Sequence, residues 1–253
     1  MRIAIFTAED YTFLFNAWCS FIDKSNDKYE IVGIFVFPDK LKGKSGVRLY
    51  WEYLKIMGLV DFIKLAIKTV LYEKNTKNKK YKNFQDLGDK NNIPVFYKDS
   101  PNADFVVSWV EKNNVDIIFI TLGYIIKKKL LQAVKGMIIN KHSALLPAYR
   151  GIWPVFWTIK DDKLPIGVTI HEVNEKIDKG EIFLQKKYDM LKSKSVFDYY
   201  IDIYNDMPDL LLETLNLLNS GERKKENIIE TSYFSLPTKK DYQEFKKENK
   251  KFV

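Results

Sequence analysis

The chain has 253 residues, 46% hydrophobic and 15% aromatic, enough apolar mass for one large folded unit or one unit with a smaller appendage, and this excludes a disordered chain. The single cysteine, Cys19, excludes an intramolecular disulfide and any cysteine-based metal cluster, and no apolar run approaches the roughly 18–20 residues of a spanning helix. A formal net charge of +8 points toward acidic partners, yet the lysines are spread along the chain among many asparagines and isoleucines, a pattern that fits compositional bias as well as a binding face.

Residues 2–7 (RIAIFT) read as a buried strand, Tyr11 to Lys24 as a helix with Phe13, Leu14, Ala17 and Phe21 at helical spacing, and Tyr29 to Phe37 as a second strand. Strand, helix, strand argues for a parallel sheet with right-handed crossovers. The turn after the first strand, Thr7-Ala8-Glu9-Asp10, carries neither a dinucleotide fingerprint nor a phosphate loop, which disfavours a nicotinamide dehydrogenase or a P-loop kinase. One or two amphipathic helices, Val47 to Met57 and then Val60 to Tyr72, lead into the lysine- and asparagine-rich stretch Glu73 to Asn83. Two readings of that stretch stand side by side: a solvated loop, or a basic lid over a phosphorylated substrate.

The βα rhythm then resumes with a helix at Phe84 to Asn91, a strand at Pro94 to Tyr97, a helix at Ala103 to Lys112 and an apolar strand at Asp116 to Thr121. The last of these runs into Leu122-Gly123-Tyr124-Ile125-Ile126, where a glycine at a strand end lets a ligand approach the backbone. A further strand over 136–141 is followed by an aromatic-rich helix at Ile152 to Ile159, in which Phe156 is a core residue and Trp153, next to the turn, borders the site. Pro165 to Val173 is again a strand, and its period does not single out His171. Residues 195–218 form a long helix, and the tail holds a short strand-like run from Ile229 to Ser235 and a charged last helix. The fold class is α/β: a Rossmann-like open, mostly parallel sheet with helices on both faces, plus a C-terminal helix and hairpin extension. The chain divides into a catalytic unit over 1–190 and an extension over 191–253.

One stretch carries chemistry. Asn140 and His142 are two residues apart on a strand, so an amide donor and a titratable base point the same way. That pair suits a reaction that builds an oxyanion and moves a proton, and it also suits a turn-capping amide beside an ordinary half-buried histidine. Asp178 supplies a carboxylate that can hydrogen-bond an imidazole and raise its basicity.

Together, Asn140-x-His142 before Leu145-Leu146-Pro147-Ala148-Tyr149-Arg150-Gly151, then Gly167-Val168-Thr169-Ile170-His171, then Ile177-Asp178-Lys179-Gly180, closely resemble the folate-dependent formyltransferase family. The resemblance covers roughly residues 1–190. It implies transfer of a formyl group from the co-substrate N10-formyltetrahydrofolate to a primary amine, with Asn140, His142 and Asp178 as the catalytic set and no metal. It further implies that Gly123, Tyr124, Ile125 and Leu146 hold the folate. Tyr149, Arg150 and Trp153 are the residues expected to line the acceptor side. Ser143-Ala144 departs from the family, where Pro or Ala and then Ser is usual.

Among family acceptors, Arg150-Gly151 and the plain first turn lean away from the glycinamide ribonucleotide branch, and the segment after Met190 is too short for the barrel of methionyl-tRNA enzymes. The tail around Tyr233-Phe234-Ser235-Leu236-Pro237-Thr238 resembles that of sugar N-formyltransferases. The expected reaction is therefore formylation of a nucleotide-linked dideoxy-amino sugar, with dTDP as the nucleotide, for surface polysaccharide such as O-antigen. Methionyl-tRNA as acceptor, and a non-catalytic folate- or nucleotide-binding relative, are the alternatives. A cytoplasmic homodimer with a nucleotide-sugar substrate and neither nucleic acid nor membrane as partner completes the expectation.

Overall fold

Strand β1 (Arg2–Ala8) is buried from its second residue on, as its run of apolar side chains requires. It lies inside a seven-stranded sheet, in a computed structural model that describes residues 1–25, 28–40, 43–221 and 230–253. The other strands are β2 (Glu30–Phe37), β3 (Val95–Tyr97), β4 (Ile117–Thr121), β5 (Met137–His142), β7 (Ile166–Glu172) and β8 (Ile182–Tyr188), in the order β3-β2-β1-β4-β5-β7-β8. The pairs from β3 through β5 are parallel, whereas β7 runs antiparallel to β5 and β8 antiparallel to β7. The chain thus winds outward from β1 to β3 and then restarts on the other side at β4. At such a reversal, crossovers leave a crevice at the C-terminal strand ends.

Helices α1 (Leu14–Ser25) and α7 (Val196–Ser220) cover one face over Ile3, Ile5, Val36, Phe119, Ile139 and Ile170. Helices α4 (Asp104–Lys112) and α5 (Lys128–Ala133) cover the other over Ala4, Phe6, Ile118, Ile120 and Ile138. The alternation within β4 and β5 is what two covered faces demand of a buried strand. Helix α7 is held at its start by a capping box between Ser195 and Asp198, and Val196 and Phe197 donate their amides to the carbonyls of Lys251 and Phe252. It shares the core of α1, so the C-terminal segment is tied to the sheet along its length.

The helical segments 47–57 and 60–72 are halves of one element, α2 (Val47–Asn75), kinked at Gly58, whose φ of 77° and ψ of 169° suit glycine alone. Helices α3 (Phe84–Asn91), α6 (Pro154–Asp161) and α8 (Lys239–Lys247) complete the set. The strand-like run expected at 229–235 begins outside the described residues. Within them it leaves β9 (Tyr233–Phe234), which pairs in parallel with β6 (Arg150–Gly151), the loop after β5, and not within a hairpin of the tail.

Candidate active site

The C-terminal strand edge opens into a cavity of about 570 Å³, within the ordinary range for small-molecule sites. One wall is the end of β5. Asn140 stands across from His171 in the antiparallel pairing with β7, and His142 from Thr169, so the amide and both imidazoles lie on the α4–α5 side of the sheet. His142 Nε2–H donates to the Tyr149 carbonyl at 2.8 Å, which leaves Nδ1 as the proton-accepting nitrogen, 3.7 Å from Asp178 Oδ2. His171 Nδ1–H donates to the Glu172 carbonyl at 2.7 Å, so its Nε2 is the partner of Asn140 Nδ2 at 3.3 Å and lies 3.8 Å from Asp178 Oδ1.

Asp178 therefore sits between two imidazoles. Its φ of 49° is a left-handed conformation that bends the turn after β7 back toward β5, and its Oδ2 also accepts the Gly151 amide at 2.9 Å. Burial lowers the pKa of His142 more than Asp178 and the Tyr149 carbonyl raise it, which keeps the ring neutral at neutral pH. His171 is pushed down to about 4, first by burial and then by His142. Two imidazoles and a carboxylate invite comparison with a metal site, but no group among the described residues has the geometry to hold an ion.

The other wall differs in character. Lys141, between Asn140 and His142, points to the opposite face, where its ammonium sits 3.7 Å from the centre of the Tyr204 ring and donates to Ser143 Oγ at 2.9 Å. Only 7% of Lys141 is exposed, and burial pulls its pKa down to about 7 against the pull of Asp10. Asp10, whose carboxyl burial pushes up to about 6, accepts the amides of Thr12 and Phe13 at 2.6 and 3.0 Å. Tyr53, Tyr200 and Tyr204 finish this wall, and Tyr53 leans on Trp153 with ring centres 5.2 Å apart.

The loop after β4 is pinned from outside: Tyr124 OH donates to the Pro38 and Asp99 carbonyls at 3.0 and 3.1 Å, and Asn102 binds the Ile125 carbonyl at 2.9 Å. Gly123, Tyr124 and Ile125 border the cavity, with Ile125 72% exposed. Next to them Thr121 Oγ1 is buried without a hydrogen-bond partner, a polar atom that awaits one.

Three expectations need correction: Leu146, Tyr149 and Arg150 do not border the cavity. Leu146 is 2% exposed, its amide bound to Thr169 Oγ1 and its carbonyl to Gln185 Nε2, so it braces the turn from behind. Tyr149 has φ of 52°, which swings its side chain to Asp161, 2.9 Å away, and leaves only its carbonyl for His142. Arg150 extends along Tyr233 toward the Ile177 carbonyl. Trp153 does line the cavity. Lys141, Asp10, Thr121 and the α7 tyrosines Tyr200 and Tyr204 also line the cavity, and no sequence motif marks them. For Lys141 the only signal is a charge in an otherwise apolar strand.

A family model described as "Formyl transferase" matches residues 66–215. The methionyl-tRNA formyltransferase of Clostridioides difficile (strain 630) is 27% identical over 217 residues, which are 85% of this chain and 60% of that protein. The chain thus spans about 60% of the length of this curated relative. Among solved structures, glycinamide ribonucleotide transformylase 1 from Symbiobacterium toebii superposes with a TM-score of 0.60 at 16% identity, over 92% of each chain. The N-formyltransferase from Helicobacter canadensis, in complex with folinic acid and dTDP-3-aminofucose, superposes with 0.59 at 17% identity, over 93% of this chain and 71% of that one.

Proposed function

The chain belongs to the formyl transferase family, and from that premise we propose that it formylates the amino group of a sugar carried on a nucleoside diphosphate, with N10-formyltetrahydrofolate as donor. The observation that carries this reading is the convergence of Asn140, His142 and Asp178 on one wall of a cavity whose other wall is Tyr53, Tyr200, Tyr204, Lys141 and Asp10. Tyrosine faces and hydroxyls, a carboxylate and an ammonium suit a hydroxyl-bearing ring with a charged tail. The Helicobacter canadensis enzyme, solved with dTDP-3-aminofucose and folinic acid bound, lends support.

The residues present fit a folate. Gly123, Tyr124 and Ile125 would hold it at the strand edge, with Thr121 Oγ1 within the same wall as a spare hydrogen-bonding group. Bound donor supplies an activated formyl carbon. Asn140 keeps one amide N–H for the oxygen that gains charge on that carbon, since the other faces His171. His142 Nδ1, neutral and facing the cavity, takes the proton that the amine must lose. Asp178 holds the resulting imidazolium by charge, and His142 then returns the proton to the folate nitrogen as its bond to the formyl carbon breaks. Residues 1–190 act in this reading as the catalytic unit, and 191–253 as an extension that adds Tyr200, Tyr204, Tyr233 and Phe252 to the cavity.

A second reading, methionyl-tRNA as acceptor, is favoured by the relatives in sequence. Formyl transfer measured on dTDP-3-amino sugars, dTDP-4-amino sugars and charged initiator tRNA separates the two. Turnover of a sugar nucleotide is the expected result; silence on the sugars with turnover of the tRNA overturns it.

A further inference from the structure

Helix α2 departs from the usual arrangement of a surface helix. Past Gly58, Asp61, Lys68 and Glu73 face the protein. Asp61 accepts the Tyr242 hydroxyl at 3.0 Å and lies 3.2 Å from Lys246 Nζ, Lys68 meets Asp198 at 2.8 Å, and Glu73 accepts the Thr12 hydroxyl at 2.5 Å. Phe62, Leu65 and Tyr72 pack inward beside them, but six further apolar residues face outward: Leu59 is 64% exposed, Val60 67%, Ile63 46%, Ile67 55%, Val70 63% and Leu71 54%. At about 100° per residue these six fall within an arc of roughly 120°, the width of stripe that a helix ordinarily turns to its core. On the near side of the kink, Tyr50 and Trp51 are 59% and 57% exposed. A contiguous apolar strip of this kind marks a docking face.

Its surroundings identify the partner. Lys64 and Lys74 lie on the same exposed side of the helix, and the chain that leaves it carries Lys77, Lys79, Lys80 and Lys82, with Glu73 the one acid between 73 and 82. A second copy of a chain of net charge +8 would bring these lysines against their own kind. An anionic lipid surface brings the opposite charge, takes the apolar strip between its headgroups and lets the lysines reach outward. No helix among the described residues is long and apolar enough to cross a membrane, so α2 would lie in the interface. We propose that the outer face of α2, from Leu59 to Leu71, docks the protein on an anionic phospholipid surface. This departs from the expectation of no membrane partner and does not depend on which amine is formylated.

The test is flotation of the whole chain with vesicles of equimolar phosphatidylcholine and phosphatidylglycerol, with phosphatidylcholine vesicles as reference. The wild type should float with the anionic vesicles, and less so at high salt. The triple variant Ile63→Gln, Ile67→Gln, Val70→Gln should lose binding about tenfold or more, and so should Lys74→Glu, Lys77→Glu, Lys79→Glu. Formyl transfer in solution and the melting temperature should stay unchanged in the lysine variant, which touches no packed residue. Should the glutamine variant fail to fold, the lysine variant still decides. Absence of flotation, or binding that neither variant reduces, overturns the proposal. So does a solution dimer that the glutamine variant splits into monomers while vesicles are ignored, since a second copy would then be the occupant.

Discussion

His171 Nε2 lies 3.3 Å from Asn140 Nδ2 across the β5–β7 pair, and its other nitrogen is committed to the Glu172 carbonyl, so the imidazole fixes which way the amide points. His171 is thereby a positioning residue. Replacing it with Phe keeps the ring volume and removes the acceptor, and should lower kcat about tenfold with little change in KM. His171→Gln, whose amide oxygen can accept, should recover part of the loss. Wild-type turnover in the Phe variant would remove the role.

His142 is the proposed base, and His142→Ala should reduce formyl transfer by about 10²-fold or more. Because burial holds its pKa below the ordinary 6.5, the acid limb of kcat/KM should fall below that value. Asp178 is the main influence raising it, so Asp178→Asn should move the limb further down in pH while lowering the rate. A limb that stays fixed or moves upward in this variant contradicts the assignment.

Lys141 pays for its place. Its pKa is about 7 in the folded chain against 10.5 when free, so the unfolded chain binds more protons between those values and stability rises with pH across that window. Removing the charge should therefore help most at low pH. The difference in melting temperature between Lys141→Met and wild type should be largest at or below pH 7 and shrink toward pH 10.5. A difference independent of pH would mean that the ammonium is not the source of the penalty. If Lys141 also contacts the acceptor, the same variant should raise its KM.

Gly151 is required by space as well as by its φ of 102°, since a Cβ there would lie 2.1 Å from the Phe234 carbonyl oxygen. Gly151→Ala should force β6 and β9 apart and shift the amide that holds Asp178. Denaturant melts should record a loss of about 1–3 kcal/mol, with turnover falling at temperatures where the variant is still folded.

Much of the architecture was readable from apolar periodicity, because β1 and β4 are apolar runs and the helices between them follow a 3.6-residue repeat. The reversal of β7 was not, since alternation says nothing about strand direction. Asn140, His142 and Asp178 stood out through a resemblance of motif, while His171 did not, because a period of two leaves open which face meets the site. Tyr149 and Arg150 were adjacent in sequence to the right place, yet the positive φ at Tyr149 turns them elsewhere. The apolar pattern of α2 announced a helix but not which side it would present. That was decided by Asp61, Lys68 and Glu73, whose partners lie far away in the chain.

Strand β5 carries two unlike chemistries on alternate side chains, the Asn140–His142 pair on one face and Lys141 on the other. The two are one residue out of phase. A single-residue insertion or deletion between Met137 and Asn140 would turn the lysine to the α4–α5 side and the amide and imidazole to the tyrosines, even though every residue type were kept. Point substitutions can tune this strand, but its length is locked. In a mutational library, in-frame single-codon indels within β5 should be silenced far more uniformly than substitutions at the same positions.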